Sequence, residues 1–379
     1  MVVVDAGVLG EPLFAPDVSR SEVAHAAGVD VEDLAAARDK GAAIQAMARG
    51  AGEIVERLQN EGRLGALGGL GGTGGSAIVA EAMRRLPIGV AKLLVSTVVS
   101  GDTSAYVGVT DATLMYSVVD IAGLNRVLAP ILDNAAAAIA GMARARLRPR
   151  APAELRPLVA ASMFGVTTPC VTRARERLEE LGYEVLVFHQ TGAGGRAMEE
   201  LIRAGFVTAS LDVTTTELCD ELAGGVWPAV PERLETAGAV GIPQVVSLGA
   251  LDMVNVGPLA ELPGRFRDRT LYEHSPAMTL ARTTADEASA LGATIARKLN
   301  RAHGPTALFC PLQGLSLLSI EGGVFHDAAA DAALLAALRE RVDRSRVELH
   351  EVDCDVNDPD FALAMADRLH ELYRDWQRP

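Results

Sequence analysis

The chain has 379 residues, 49% of them hydrophobic and 22% charged, which is enough for two domains of ordinary size with sizeable buried cores. Lys and Arg number 35 against 49 Asp and Glu, a formal net charge of −14 with no long block of one sign, which argues against nucleic acid as a partner of the bulk surface. The cysteines, Cys170, Cys219, Cys310 and Cys354, are far apart with no C-x-x-C pair, so neither a zinc site nor a disulfide framework is indicated. No apolar run reaches the roughly 20 residues that span a bilayer and no basic leader opens the chain, so a cytoplasmic protein with no membrane partner is expected.

In chain order, residues 2–5 read as a strand that the glycines and proline of residues 7–12 end. Residues 19–27 read as a short helix capped by Ser19 or Ser21, and Asp30 opens a long alanine-rich helical region, broken near Gly50 and Gly52, that runs to Gly62. A glycine run, residues 65–76, then joins an apolar segment to a helix over residues 77–86. Glycines let backbone N–H groups approach a ligand, and the helix start adds donors without partners and a positive dipole end, so Gly69, Gly71, Gly72, Thr73, Gly74, Gly75 and Ser76 form a candidate phosphate loop. The run lacks the Lys of a P-loop and the spaced acidic residue of a dinucleotide fingerprint, so a tight turn that packs a helix on a sheet competes with that reading.

Residues 91–99 form the next strand. It ends in a polar loop at which Ser96, Thr97, Ser100, Gly101 and Asp102 are candidate ligand residues, because ligands of open α/β sheets sit at the carboxyl ends of parallel strands; Ser100, Asp102 and Ser104 suit a phosphate or a Mg2+ hydration shell, with loop capping by Asp and Ser as the competing account. Residues 124–146 are mostly helical, and Pro149, Pro152 and Pro157 punctuate a domain boundary. Strand and helix patterns then alternate: strand 158–164, helix 173–181, strand 184–188, glycine loop 190–195, helix 197–204, strand 206–211. After a looser middle with a loop at 258–274 come helix 286–302, strand 307–312, helix 328–342, strand 347–352 and helix 359–376.

The second glycine loop repeats the logic of the first. Gln190, Thr191, Gly192, Gly194 and Gly195 offer amides for a second anion, with Arg196 in the first helical turn, where a cation makes most sense beside a bound anion. Asp212, with Thr214 to Glu217 after it, reads either as a ribose or metal ligand or as ordinary helix capping. His189, His274 and His326 have no metal-ligand spacing, and the stretch from Gly314 to Leu318 lacks the closing glycine of a nucleophile elbow.

With these residues assembled, the chain resembles the family of the ATP-binding N-terminal region of the tomato mosaic virus resistance protein and its bacterial and fungal relatives. The blocks that carry the resemblance are residues 4–10, 68–75, 86–89, 95–97 with 100–102, 106–108, 117–125, 189–199, 212–217, 251–255 and 311–316. The resemblance implies two Rossmann-like α/β domains with mainly parallel sheets flanked by helices and a cleft between them, residues 1–152 and 153–379. It further implies ATP and Mg2+ as ligands, self-association into a homo-oligomer, and a barrel-type protein partner. The family's Thr-Leu-Asp-Thr-Lys-Gly-like segment has no counterpart ahead of Val4, and residues 318–323 depart from the usual pattern; a weakened nucleotide site is the expectation that follows. Three functions fit this reading: an ATP/Mg2+-binding protein with phosphates on the glycine loops, an ATP-dependent enzyme subunit that activates a small acid or acyl group, and an interaction or regulatory protein without catalysis.

Overall fold

The computed structural model describes residues 1–146 and 155–377, so Pro149 and Pro152 lie outside the described residues. The chain divides into two compact α/β units, Met1–Ala153 and Glu154–Pro379, each taken here by itself.

The first unit runs α1 (Arg20–Ala26), α2 (Val31–Ala37), α3 (Lys40–Asn60), β1 (Ala66–Gly71), α4 (Thr73–Arg84), β2 (Ala91–Ser96), α5 (Ser104–Val107), β3 (Thr113–Tyr116) and α6 (Leu128–Arg146). Its sheet is parallel, ordered β1-β2-β3. One core holds Val23, Met47, Ile54 and Leu86 between the sheet and helices α1, α3 and α4; a smaller one packs Leu93 and Val95 against Ala135 of α6.

Two expectations fail here. Residues 2–5 make only an isolated bridge, Val4 to Val18, because no strand lies alongside to continue a ladder. The helical region from Asp30 breaks at Arg38, which sits at φ 52°, and α3 runs unbroken through Gly50 and Gly52. Those glycines serve close packing: a Cβ on Gly50 would stand 1.9 Å from the Val23 carbonyl of α1, and one on Gly52 3.1 Å from the Arg85 stem.

The second unit runs β4 (Leu158–Met163), α7 (Thr168–Glu180), β5 (Glu184–His189), α8 (Ala193–Arg203), β6 (Ala209–Thr214), α9 (Glu217–Ala223), α10 (Thr236–Val240), β7 (Gln244–Gly249), β8 (Met253–Asn255), β9 (Leu271–Ser275), β10 (Met278–Arg282), α11 (Ala285–Leu299), β11 (Thr306–Pro311), α12 (Ala328–Arg341), β12 (Val347–Val352) and α13 (Pro359–Trp376). Six parallel strands lie in the order β12-β11-β7-β6-β4-β5. Their near-continuous Val, Leu, Ala and Phe content is what a sheet covered on both faces requires. Val159, Ala161 and Leu211 face α7 and α13, while Val246, Leu248 and Leu308 face α11 and α12. The chain passes from β5 on one side of β4 to β6 on the other, so the topological switch point lies at the carboxyl ends of β4 and β6.

The looser middle contains an antiparallel sheet, β8-β10-β9, that the 258–274 loop reading missed. Two helices begin earlier than expected, α7 at Thr168 with a proline in its first turn and α8 at Ala193. Strand β6 continues through Thr214, so Asp212 belongs to the strand and not to a helix start.

Candidate functional site

In the first unit, Gly71, Ser96 and Tyr116 are aligned across the three strands, so the residues after them, Gly72, Thr97 and Ser117, share one carboxyl edge. Hydrogen bonds tie this edge together: Thr97 N–H donates to Gly71 O at 3.3 Å and Ser117 N–H to Ser96 O at 3.1 Å. The glycine run proves to be less loop than expected. Gly69 and Gly71 belong to β1, Gly74, Gly75 and Ser76 lie in the first turns of α4, and Gly72 alone connects them.

Most of those glycines have steric work. A Cβ on Gly69 would lie 2.4 Å from Val79 Cγ2, on Gly71 2.8 Å from Gly75 Cα, and on Gly74 2.9 Å from Ile44 Cδ1. Gly72 differs. It is the N-cap of α4, its backbone is extended (φ −84°, ψ −158°), and an added Cβ would come no nearer than 3.4 Å, to Thr97 Oγ1. Among the described residues no side chain caps the helix, and no acidic residue lies in its first turn. The N–H of Ser76 is bonded to Gly72 O at 2.8 Å, and the amides ahead of it have no intrahelical acceptor by the geometry of any α-helix.

Behind the amides the buried hydroxyls of Ser76 and Ser96 share a hydrogen bond of 2.7 Å. Val118 closes the edge in a left-handed conformation (φ 63°) while 57% exposed. The Val119 N–H bonds back to Ser117 O at 2.7 Å, a tight turn that strains a β-branched residue. Ser100, Gly101 and Asp102 are exposed on the turn after β2, where Asp102 accepts the Ser104 N–H at 2.9 Å; that bond holds its carboxyl below the usual range.

In the second unit the glycine turn ahead of α8 already holds an anion, and that anion is internal. Oε1 of Glu217 accepts the N–H groups of Gly192 at 2.6 Å and Gly195 at 3.2 Å. A Cβ on Gly195 would stand 1.9 Å from Glu217 Oε2, and one on Gly194 1.7 Å from the His189 carbonyl, so both glycines are demanded by packing. Glu217 is itself paired with Arg233, whose guanidinium is fully buried. Arg233 also pairs with both oxygens of Asp212 and with Glu199, and donates to Gln190 Oε1 at 3.2 Å and Thr214 O at 3.0 Å. Asp212 further accepts the Ser162 hydroxyl at 2.6 Å.

Gln190, Gly192, Gly195 and Asp212 are thus gathered, but around the chain's own ions. Thr191 bonds its N–H to His189 O at 2.9 Å, and Arg196 points into solvent from the first turn of α8. Arg233 escaped the sequence reading because nothing in Pro231-Glu232-Arg233-Leu234 separates a buried arginine from a surface one. Glu217 was visible only as a capping acid. Among the described residues no group of three or more His, Cys, Asp or Glu side chains stands ready to hold a metal ion.

Comparison with known proteins gives the following. Residues 1–148 match the N-terminal domain, and residues 156–373 the C-terminal domain, of the uncharacterised protein family UPF0261. A UPF0261 protein of Clostridium tetani is 49% identical over 97% of this chain and 91% of its own length. One of Rhizobium meliloti is 44% identical over 100% of this chain and 92% of its own. The ToMV resistance protein Tm-1(GCR237) of Solanum lycopersicum is 41% identical over 88% of this chain, which matches 45% of that longer protein.

Proposed function

The chain belongs to the UPF0261 family, and from that premise we propose that it binds the phosphates of a nucleotide, ATP with Mg2+, at the glycine-capped start of α4. One observation carries the reading: two helices of this chain begin on a glycine without a side-chain cap from their own sequence, and they differ in what meets their amides. At α8 a carboxylate from elsewhere in the unit, that of Glu217, takes up the amides of Gly192 and Gly195. At α4 no side chain among the described residues does so. An anion is the chemical complement of such an end, through both the orphan donors and the dipole.

The donors present suit a phosphate: the first-turn amides of Thr73, Gly74 and Gly75, with Thr97 beside Gly72 on the shared edge. ATP is the nucleotide that the resemblance implies. A Mg2+ ion arriving with it keeps most of its waters and asks the protein for one or two oxygens, for which Asp102 and Asp120 are exposed on the turns after β2 and β3. The ion would neutralise phosphate charge at an edge where the residues named here supply no cation.

The decisive variant is Gly72→Asp. The extended backbone at residue 72 suits aspartate, a preferred N-cap, so the variant should hold its melting temperature or gain a few tenths of a kcal/mol. Its carboxylate would occupy the amides and repel phosphate. Calorimetry should show ATP·Mg2+ binding in the parent chain and none in the variant; equal affinity in the two, or no binding by the parent at millimolar ATP, would refute the proposal.

A further inference from the structure

The Arg233 cluster contains a charge imbalance that the fold must resolve. Three carboxylates surround one guanidinium: Glu199 from α8, Asp212 from β6 and Glu217 from α9, each at least 96% buried at the side chain. Of the other groups that face them one is an acid, Asp220 of α9, whose charge bears on Glu217; the rest are neutral: Gln190, Ser162, the Thr214 carbonyl, the Gly192 and Gly195 amides, and Thr236 of α10. With every acid ionised the cluster would carry two uncompensated buried negative charges, with no second cation paired to it among the described residues.

The hydrogen bonds show where a proton fits. Both oxygens of Asp212 meet donors, and Glu217 has Arg233 and two amides. Glu199 uses only Oε1, which accepts from Arg233 at 3.4 Å and from the Leu234 N–H at 2.9 Å. Its Oε2 is buried and faces only the neutral Thr236 hydroxyl. Of the three acids Glu199 has the longest contact to Arg233 and no charged donor on its second oxygen, so it is the one that accommodates a proton at least cost. Leu234, the residue that Glu199 holds, is a buried leucine at φ 67°, a conformation that stores strain.

We propose that the Glu199–Arg233 cluster is a proton-operated latch: protonated Glu199 holds the strained Arg233-Leu234 segment against the β4–β6 edge, and loss of that proton as pH rises lets the segment open. Burial pushes the carboxyls of Glu199 and Glu217 above their ordinary range, against the pull of Arg233, which agrees in direction. A raised folded-state value means that the native state binds more protons than the unfolded one. The latch is therefore intact at acidic pH and weakens as pH rises through the folded-state value.

The amide of Leu234 is the reporter, because its hydrogen bond goes to Glu199 itself. In the full chain, followed upward from about pH 5, its hydrogen-exchange protection, corrected for the intrinsic rate, should fall by up to about tenfold per pH unit above a midpoint higher than the ordinary glutamate range, tenfold per unit being the limit for a single titrating group. In Glu199→Gln the protection should be independent of pH, since the carboxamide keeps the acceptor and adds a permanent donor toward Thr236. Protection that ignores pH in the parent chain, or the same fall in Glu199→Gln, would overturn the proposal. Should Glu199→Gln not fold, Asp212→Asn decides the matter. Removing a neighbouring negative charge should shift the loss of protection to lower pH, and an unchanged or higher midpoint overturns the latch.

Discussion

Arg233 shows how much one buried charge can organise. Its guanidinium joins β6, α8 and α9 through three carboxylates, so Arg233→Met should cost about 3–5 kcal/mol of unfolding free energy, because the acids are left without a counter-ion. A denaturant midpoint within error of the parent would refute the account. At Glu217 the conservative Gln keeps an acceptor for Gly192 and Gly195, whereas Ala leaves both amides unmet; Glu217→Ala should be the more destabilised of the two by about 1–3 kcal/mol in the same titration. Individual residues were also where the sequence said least. Gly72 and Asp212 both stood among the candidates, yet nothing local distinguishes Gly72, which has room for a side chain, from Gly71, which has none. Nor does anything local reveal that a guanidinium some twenty residues downstream takes up Asp212, since such pairings are made by tertiary structure.

Among the elements, the glycines of β1, α4 and α8 set how closely strand and helix approach. Gly71→Ala puts a Cβ 2.8 Å from the Gly75 backbone, and Gly194→Ala puts one 1.7 Å from the His189 carbonyl, so neither clash can be relieved by a side-chain rotation. Each should lower stability by about 1–3 kcal/mol or more, seen as a falling melting temperature, while Gly65→Ala, with nothing within 4 Å of the new Cβ, serves as the neutral control. Element type was the most legible part of the chain. The strand at 347–352 and the helix at 359–376 are found where their periodicity puts them, and the parallel sheet of the second unit follows from the alternation of strand and helix. What the patterns missed had weak periodicity. Strand β8 is three residues long, and β9 carries the exposed Tyr272, Glu273 and His274, which read as loop. The glycines inside α3 mimic a helix break because helix propensity is blind to the Val23 carbonyl that requires one of them.

Across the whole molecule the buried acids predict an uncommon pH profile. Asp252 is fully buried, with one oxygen accepting the Ser316 hydroxyl at 2.7 Å and the other without a partner, and burial pushes it up to about 6. Asp220 is likewise pushed up by burial, to about 7, against the donors of Trp227 and Asn255. Both folded values exceed the roughly 4 of an unfolded aspartate, so the stabilising differential is present below pH 4 and is lost as pH rises through about 6 to 7. Denaturation at fixed intervals from pH 5 to 8 should therefore show stability declining, and Asp252→Asn should flatten the decline. Repeating the titration in added salt separates this effect from that of the net charge of −14, because salt screens exposed charges and leaves buried ones nearly untouched.

The room for a side chain at Gly72 bears on how the family diverges. Substitutions at Gly71 or Gly194 meet backbone, and at Gly195 the buried Glu217 carboxylate, whether or not anything binds, so glycine at those positions in a relative records architecture. Position 72 is free of that constraint. On the proposed reading, a relative that carries Asp or Ser there would cap its own helix and give up the anion, so the residue at this one position should sort members that bind the ligand from members that do not, as calorimetry on one of each would check.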